Sequence, residues 1–393
     1  MYFVALLKHK LTSRCEKLKI RYKLGKKNSL TNYSVKIYGK NVLVTPLDWG
    51  LGHATRCIPI IKALIINGYH VTVAASGKSI QLLQAEFPEI TIVDIPGYSV
   101  QYAKNGFILP FKLMLQVPKI LRAIRHENQL LKKLVKQYQI NWVISDNRFG
   151  MYHAQVPCTF ITHQLTIMAP YNWLRSLLQS INYRYIQKFN ECWVPDMGLN
   201  GGIAGMLSHP NHLPSVPVSY IGLLCRFNLT LPQQQNYQYD YCFLLSGPEP
   251  QRSLLQAMII EQTQNIYARI VILLGQPQMP GVKVKSKHRV LNHASENELQ
   301  QIIQSSRFVI ARSGYTSVME LLCLQKKCLF IPTPGQTEQV YLAERLHALK
   351  MGLMVPQHSL ELSKQLPLLE QYDFATIQPE VFAPQKLIEL LPT

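Results

Sequence analysis

Long uncharged stretches are missing from this 393-residue sequence. No run approaches the roughly 18–20 apolar residues that a membrane-spanning helix needs. The apolar opening Met1–Leu7 is too short for a span and lacks the small-residue cleavage site of a signal peptide. Paired cysteines are missing too: the eight (Cys15, Cys57, Cys158, Cys192, Cys225, Cys242, Cys323, Cys328) never stand as C-x-x-C. In a chain this long that pattern means buried, reduced thiols rather than a disulfide framework, and a cytoplasmic protein is expected. No H-E-x-x-H, paired-Cys or Asp-x-Asp pattern argues for a metal, and no tandem repeat of 20–50 residues is visible.

Acids are also scarce. Lys and Arg number 41 against 22 Asp and Glu, a formal net charge of +19. The excess is uneven: residues 1–40 hold eleven Lys or Arg and a single acid, Glu16, so this leader carries +10. Such an arm suits an anionic partner such as nucleic acid or a membrane surface, or else is a solvated, partly disordered leader. The basic body that remains suits a protein handling phosphorylated substrates near anionic lipid.

From Asn41 the sequence reads as a folded chain. Continuous apolar runs, "NVLVTPL" (41–47), "HVTVAAS" (70–76), "EITIVDIPG" (89–97), "NWVISD" (141–146), "CTFITH" (158–163) and "ECWVP" (191–195), alternate with helical periodicity such as 56–68 and 111–138. Strands without polar alternation, spaced by helices, predict a parallel sheet covered on both faces. Between 205 and 235 proline, glutamine and asparagine break the pattern. It then restarts, with strands at 239–247, 269–275, 289–293, 307–314 and 327–334 and helices at 251–264, 296–305, 316–325 and 337–350. The expected architecture is α/β: two doubly wound, Rossmann-like lobes facing across a cleft. Its boundaries are a leader at 1–40, a first lobe at 41–220, a linker at 221–235 and a second lobe at 236–393.

In open α/β sheets ligands bind beyond the C-terminal strand ends, so the loops there carry the candidate chemistry. After the first strand, "WGLGHATR" supplies Gly50 and Gly52 for close backbone approach, with His53 and Arg56 at the turn into a helix. It is not a dinucleotide fingerprint, since Thr55 stands where a third small residue belongs. Asp146, Asn147, Arg148 and His163 end two further strands of the same lobe and are acceptor-side candidates, the alternative being polar packing. In the second lobe "SGPEPQR" places Ser246, Gly247 and Arg252 where a strand-to-helix turn would cradle a diphosphate, the alternative being a plain Pro-containing helix start at Pro250 and Gln251. The segment Arg312–Gln339 says most. Arg312, Ser313 and Gly314 end a strand, Thr316 opens a helix whose amides point at the same spot, and Glu320 lies one turn in, suited to accept ribose hydroxyls. Gln336, Glu338 and Gln339 follow the next strand and suit sugar hydroxyls.

This last segment resembles the donor-binding signature of family 28 glycosyltransferases, the group that includes the enzyme forming lipid II. There too Arg-Ser-Gly ends a strand, a helix follows with Thr and Glu, and the next strand leads to Pro and a Gln-rich loop. The segment 50–53 resembles the same family's N-terminal Gly-x-Gly-His loop, and the two motifs together span about 42–350. The resemblance implies the GT-B fold and a metal-independent, inverting transfer of a hexose or N-acetylhexosamine from a UDP-linked donor, with no cofactor. It implies that Glu320 holds the donor ribose, that Ser246, Gly247, Arg312, Ser313 and Gly314 surround the diphosphate, and that Gln336, Glu338 and Gln339 face the transferred sugar. Pro248, Glu249 and Pro250 depart from the family's glycine-rich loop. The stretch 145–165 has no counterpart in the lipid II enzyme, which points to a separate bacterial branch.

A transfer of this kind needs a base for the acceptor hydroxyl, and His53 fits that need. The expected partners are a nucleotide sugar, a glycan or lipid-linked acceptor and an anionic membrane surface, with no nucleic acid. The competing readings are a GT-B epimerase or hydrolase, disfavoured by the shortage of acids, and a non-catalytic membrane-surface binder. Residues 104–125 mix apolar and basic side chains as an interfacial helix would, although Pro110 and Pro118 interrupt the pattern and an ordinary packed helix is the alternative.

Overall fold

The computed structural model of the protein describes residues 39–98, 109–168, 171–229, 236–276 and 285–390. The basic leader, but for its last two residues, and residues 104–108 of the proposed interfacial segment lie outside them.

The first lobe is a seven-stranded sheet, all parallel, in the order β3-β2-β1-β4-β5-β6-β7. Its strands are β1 (Asn41–Pro46), β2 (His70–Ala75), β3 (Thr91–Asp94), β4 (Trp142–Asp146), β5 (Cys158–Ile161), β6 (Glu191–Val194) and β7 (Val218–Tyr220). Helices α1 (Leu51–Ile66), α2 (Lys78–Glu86), α3 (Leu109–Gln137) and α4 (Asn172–Ile186) make the crossovers. The central strands are buried along nearly their whole length, which is why they read as unbroken apolar runs. Trp142 and Trp193 pack edge to face, 5.6 Å apart, on one side of this sheet. On the other side Leu43, Val143 and Phe160 meet Leu131 and Leu134 of α3. From Pro118 onward α3 belongs to the lobe: Ile124 is buried, and Leu47, Tyr98 and Ile120 pack with it.

The second lobe repeats the plan with six parallel strands in the order β10-β9-β8-β11-β12-β13. They are β8 (Tyr239–Leu244), β9 (Ile270–Leu273), β10 (Arg289–Leu291), β11 (Ser306–Ala311), β12 (Lys327–Phe330) and β13 (Leu353–Met354). Helices α5 (Gln251–Thr263), α6 (Glu296–Gln304), α7 (Tyr315–Cys323), α8 (Thr337–Ala348) and α9 (Leu362–Gln371) complete it, and α10 (Lys386–Glu389) follows. This two-lobed arrangement is the GT-B architecture expected from the sequence.

Three differences from the sequence-based expectation have physical causes. Helix α1 starts at Leu51, five residues before the periodic stretch, because only Gly50 (φ 93°) needs a left-handed backbone; Gly52 and His53 are already helical. Helix α2 was not expected, since it buries only Ser79 and Leu83 and shows little apolar period. The end of the chain leaves the second lobe: Leu223 bridges Val381, and the Asn67 side chain donates to Pro384 O at 3.3 Å. Phe382 and Leu387 are buried in the core cluster that contains α1.

Candidate active site

The C-terminal ends of β1, β4 and β5 bring four side chains of the first lobe together. Asp146, the last residue of β4, is fully buried. Its Oδ2 accepts from Arg56 Nε at 2.8 Å and lies 3.0 Å from His53 Nδ1, while its Oδ1 accepts from Arg56 Nη2. Burial opposes ionisation of Asp146, but Arg56 and His53 outweigh it and hold the carboxyl down at about 2. His53 is shifted the other way. Burial and then Arg56 lower its pKa from the ordinary value, and Asp146 offsets this only in part, so the ring is neutral at pH 7. Arg56 Nη1 donates to His163 Nδ1 at 3.1 Å, which fixes the proton of His163 on Nε2.

That proton points at the second lobe. His163 Nε2 donates to Glu338 Oε1 at 2.7 Å, and Gln164 donates to the other oxygen of the same carboxylate. The His163 ring stacks on Tyr315, with centroids 4.1 Å apart and planes 7° from parallel. Tyr315 in turn donates to Pro195 O at 2.7 Å. Beside it the Thr316 hydroxyl donates to Gly52 O at 3.1 Å. A Cβ on Gly52 would stand 3.1 Å from that hydroxyl oxygen, so the glycine lets α1 and α7 approach N-terminus to N-terminus. His53, Arg56, Asp146, His163, Gly52, Thr316 and Glu338 therefore form one constellation between the two sets of strand ends. Gln164 belongs to it and was missed from sequence, although its place after His163 was a usable signal.

Other expected residues are placed differently. Arg148 does not reach the cleft. It is fully buried and donates to Pro46 O at 2.9 Å, to Glu127 Oε1 at 3.0 Å and to Ser76 Oγ at 3.2 Å. Burial raises the Glu127 carboxyl to about 7 even with Arg148 beside it, the mark of an interior ion pair. Asn147, at φ 56°, makes the turn that points Asp146 and Arg148 to opposite sides. In the second lobe, Arg312 Nη atoms donate to Ile331 O, Pro332 O, Gln251 O and Gln357 Oε1, tying three loops. Arg252 is held by Glu249 Oε1 at 2.7 Å and by Gln256 and Leu274. Both buried arginines thus serve the loops around the expected diphosphate position from behind. Ser246 and Gly247 are exposed at the end of β8. Ser313 donates to Gln339 O at 2.8 Å, and Gln339 Nε2 donates to Gln336 Oε1 at 2.6 Å, which braces the loop beside Gly314. Glu320 is buried 2.9 Å from Arg226 Nε, and burial raises its pKa despite that arginine. Gly50 is exposed at the start of α1.

The fold is that of the GT-B glycosyltransferases. Residues 253–373 match the glycosyltransferase family 28 C-terminal domain, and residues 41–171 match glycosyl transferase family 1. Among solved structures, the chain is similar to MurG of Acinetobacter baumannii: TM-score 0.54 and 15% identity over 90% of this chain and 99% of that one. It is also similar to CalG4, the calicheamicin glycosyltransferase (TM-score 0.60, 13% identity, 85% and 90% covered). A third is the glycosyltransferase SnogD of Streptomyces nogalater (TM-score 0.53, 15% identity, 85% and 91% covered). No curated protein matches the sequence. The chain is a glycosyltransferase, and residues 253–373 of its second lobe are similar to the family 28 C-terminal domain.

Proposed function

We propose that the enzyme moves a sugar from a UDP-linked donor held by the second lobe to the hydroxyl of a glycan or lipid-linked acceptor held by the first, inverting the anomeric centre without a metal. The observation that carries this reading is the pairing of a partly exposed His53 with the buried Asp146 at the mouth of the first lobe. His53 Nδ1 stands between Asp146 Oδ2 at 3.0 Å and Arg56 Nη2 at 2.9 Å; in the tautomer whose Nδ1 proton goes to Asp146, His53 has an unprotonated Nε2, and the neutral ring can take the acceptor's proton as the oxygen attacks. Arg56 balances the aspartate and keeps it ionised, so the imidazolium formed in the transition state finds a negative partner. Across the cleft the amides opening α7, with Ser313 and Gly314, face the departing diphosphate, and Glu320 accepts from the ribose. Glu338 would turn from His163 and Gln164 to the sugar hydroxyls, freeing the two first-lobe donors for the acceptor.

A peripheral position at an anionic membrane fits the same reading. Among the described residues no helix is long and apolar enough to cross a bilayer. Helix α4, however, exposes Trp173, Leu177 and Ile181, one turn apart on one face, with Tyr171 just before them. The helix carries Arg175 and Arg184 and no acid.

The test is incubation with UDP- and GDP-sugars and a crude lipid or glycan fraction. Glycosylated product with acceptor-dependent nucleotide release is expected. Release without acceptor dependence would favour a hydrolase or epimerase. Glu320→Ala should weaken nucleotide binding by about 1–3 kcal/mol, because the buried ribose loses its acceptor. Unchanged affinity by calorimetry would remove Glu320 from the donor site.

A further inference from the structure

The second lobe has a cavity of about 190 Å³ at the edge farthest from the cleft. Tyr237 lies just before β8, Arg307 near the start of β11, Lys326 and Lys327 at the start of β12, and Gln304 and Leu324 where α6 and α7 end. All of these stand at the N-terminal ends of the strands, whereas the cleft is at the C-terminal ends. β11 is six residues long, so at roughly 3.3 Å per residue the two sites are about 20 Å apart.

Three of the lining side chains are cations, and among the described residues no carboxylate lines the cavity. No ion pair among the described residues uses Arg307, Lys326 or Lys327, although ion pairs are common elsewhere in the chain. On its other side Arg307 lines a second hollow with Asp240 and Glu370 and helps to hold the Asp240 carboxyl below its ordinary value, whereas the hydrogen bond and ring contacts of the three cations are to neutral groups. Lys326 Nζ donates to Gln304 O at 3.1 Å and lies 5.2 Å from the Tyr237 ring centre. Arg307 sits over Phe308 at 4.9 Å and Lys327 over Phe374 at 5.7 Å. A cluster of like charges around a concavity, one of them half-buried, is costly unless a counterion joins it. The half-buried Lys326 registers that cost, its ammonium pushed down to about 8 by burial. The carbonyl end of α6 accounts for Lys326, which caps Gln304, and Asp240 offsets part of the charge of Arg307, but no carboxylate among the cavity's described lining residues answers the three cations on the cavity side. At about 190 Å³ the cavity falls below the roughly 300 Å³ at which pockets for organic ligands begin, and a single compact anion suits it.

We propose that this cavity is a binding site for a phosphate group, separate from the catalytic cleft. Arg307 offers a planar fork of donors, and the two lysines offer point charges on either side. A free phosphate compound and the phosphate of an anionic lipid headgroup present the same chemistry. Helix α7 spans the lobe from Thr316 at the cleft to Leu324 at the cavity, so an occupant here sits against the element that also bears Glu320.

Calorimetry on the full chain with inorganic phosphate at fixed ionic strength tests the site. Saturable binding is expected. Replacing the two exposed cations together, Arg307→Gln with Lys327→Gln, should weaken it by about ten-fold or more. Removing the same charge from α3, Lys132→Gln with Lys133→Gln, should leave it unchanged, as should His53→Ala in the cleft. Equal losses in the two double variants would reduce the effect to net charge, and binding unaffected by the cavity pair would place the phosphate elsewhere; either overturns the proposal. Flotation with phosphatidylglycerol vesicles then separates the sources. Weaker flotation of the cavity pair than of the α3 pair supports a lipid headgroup. Equal flotation, together with the ten-fold loss for inorganic phosphate, supports a free phosphate compound.

Discussion

At the residue scale the proposed chemistry turns on how one carboxylate is shared. Asp146 is bound to both Arg56 and His53, and the two contacts have different effects. The arginine, together with His53, holds the Asp146 carboxyl down at about 2, so it is ionised at neutral pH. Burial and Arg56 together lower the His53 pKa, so its ring is neutral at pH 7, as the proposed base must be. A histidine whose folded-state pKa is depressed retains its basic form below the ordinary value of about 6.5 and loses it only as pH falls through the lowered pKa. The acid limb of kcat/KM should therefore lie below pH 6.5, and activity should be flat across neutrality. His53→Ala should lower turnover by about 10²–10⁴ and abolish that limb, with donor affinity unchanged. A limb persisting in the variant, or equal losses in turnover and donor binding, would assign His53 a structural role in the turn.

At the scale of elements, what holds the site is the meeting of two helix N-termini, α1 and α7, and a glycine-dependent crossing at the other end of the first lobe. Gly222 lies two residues after β7 at φ 84°, and a Cβ there would come within 2.9 Å of Glu380 O and 3.1 Å of Phe382 N. Both the left-handed backbone and the close returning strand exclude a side chain. Gly222→Ala should cost about 1–3 kcal/mol, read as a lower urea midpoint with an unchanged slope. No change would mean that the returning segment is displaced at little cost. The alternation of buried strands and helices was legible because parallel strands covered on both faces must be continuously apolar, and with it came the strand-end positions of His53, Asp146 and His163. Three features were not legible. Helix α2 is too polar to show a period. Arg56 and Arg148 look equivalent in sequence, yet the turn at Asn147 sends Arg148 into the interior while α1 keeps Arg56 in the site. The Glu338–His163 bond joins residues 175 apart in the chain, a pairing no local pattern encodes.

At the scale of the whole molecule, the charge balance and the exposed face of α4 would act together in the proposed membrane docking. A chain of +19 with so few acids is drawn to any anionic surface, but long-range attraction alone neither orients nor retains it, because salt screens it within about 10 Å at 0.1 M. Retention requires apolar insertion. Trp173, Leu177 and Ile181 are 55%, 46% and 40% exposed, a cost in water that an interfacial site would relieve. The segment first expected to play this part, 104–125, gives its later residues to the lobe's own packing through Ile120 and Ile124. The face of α4 belongs to the same lobe as His53 and Asp146, the lobe proposed to receive the acceptor, so docking there would bring a lipid-linked acceptor to the correct half of the enzyme. The protein should float with anionic vesicles at low salt, be released by high salt and ignore neutral vesicles. Changing Trp173, Leu177 and Ile181 together to alanine should abolish most of the binding without affecting thermal stability, since none is in the core. The comparison must be repeated on a chain beginning near Lys40, because residues 1–40 carry +10 and could hold the protein to the vesicles unaided. If that shorter chain stays in solution at low salt, or floats equally well with and without the three apolar side chains, α4 is not the docking face, and the lipid-linked acceptor loses its structural support.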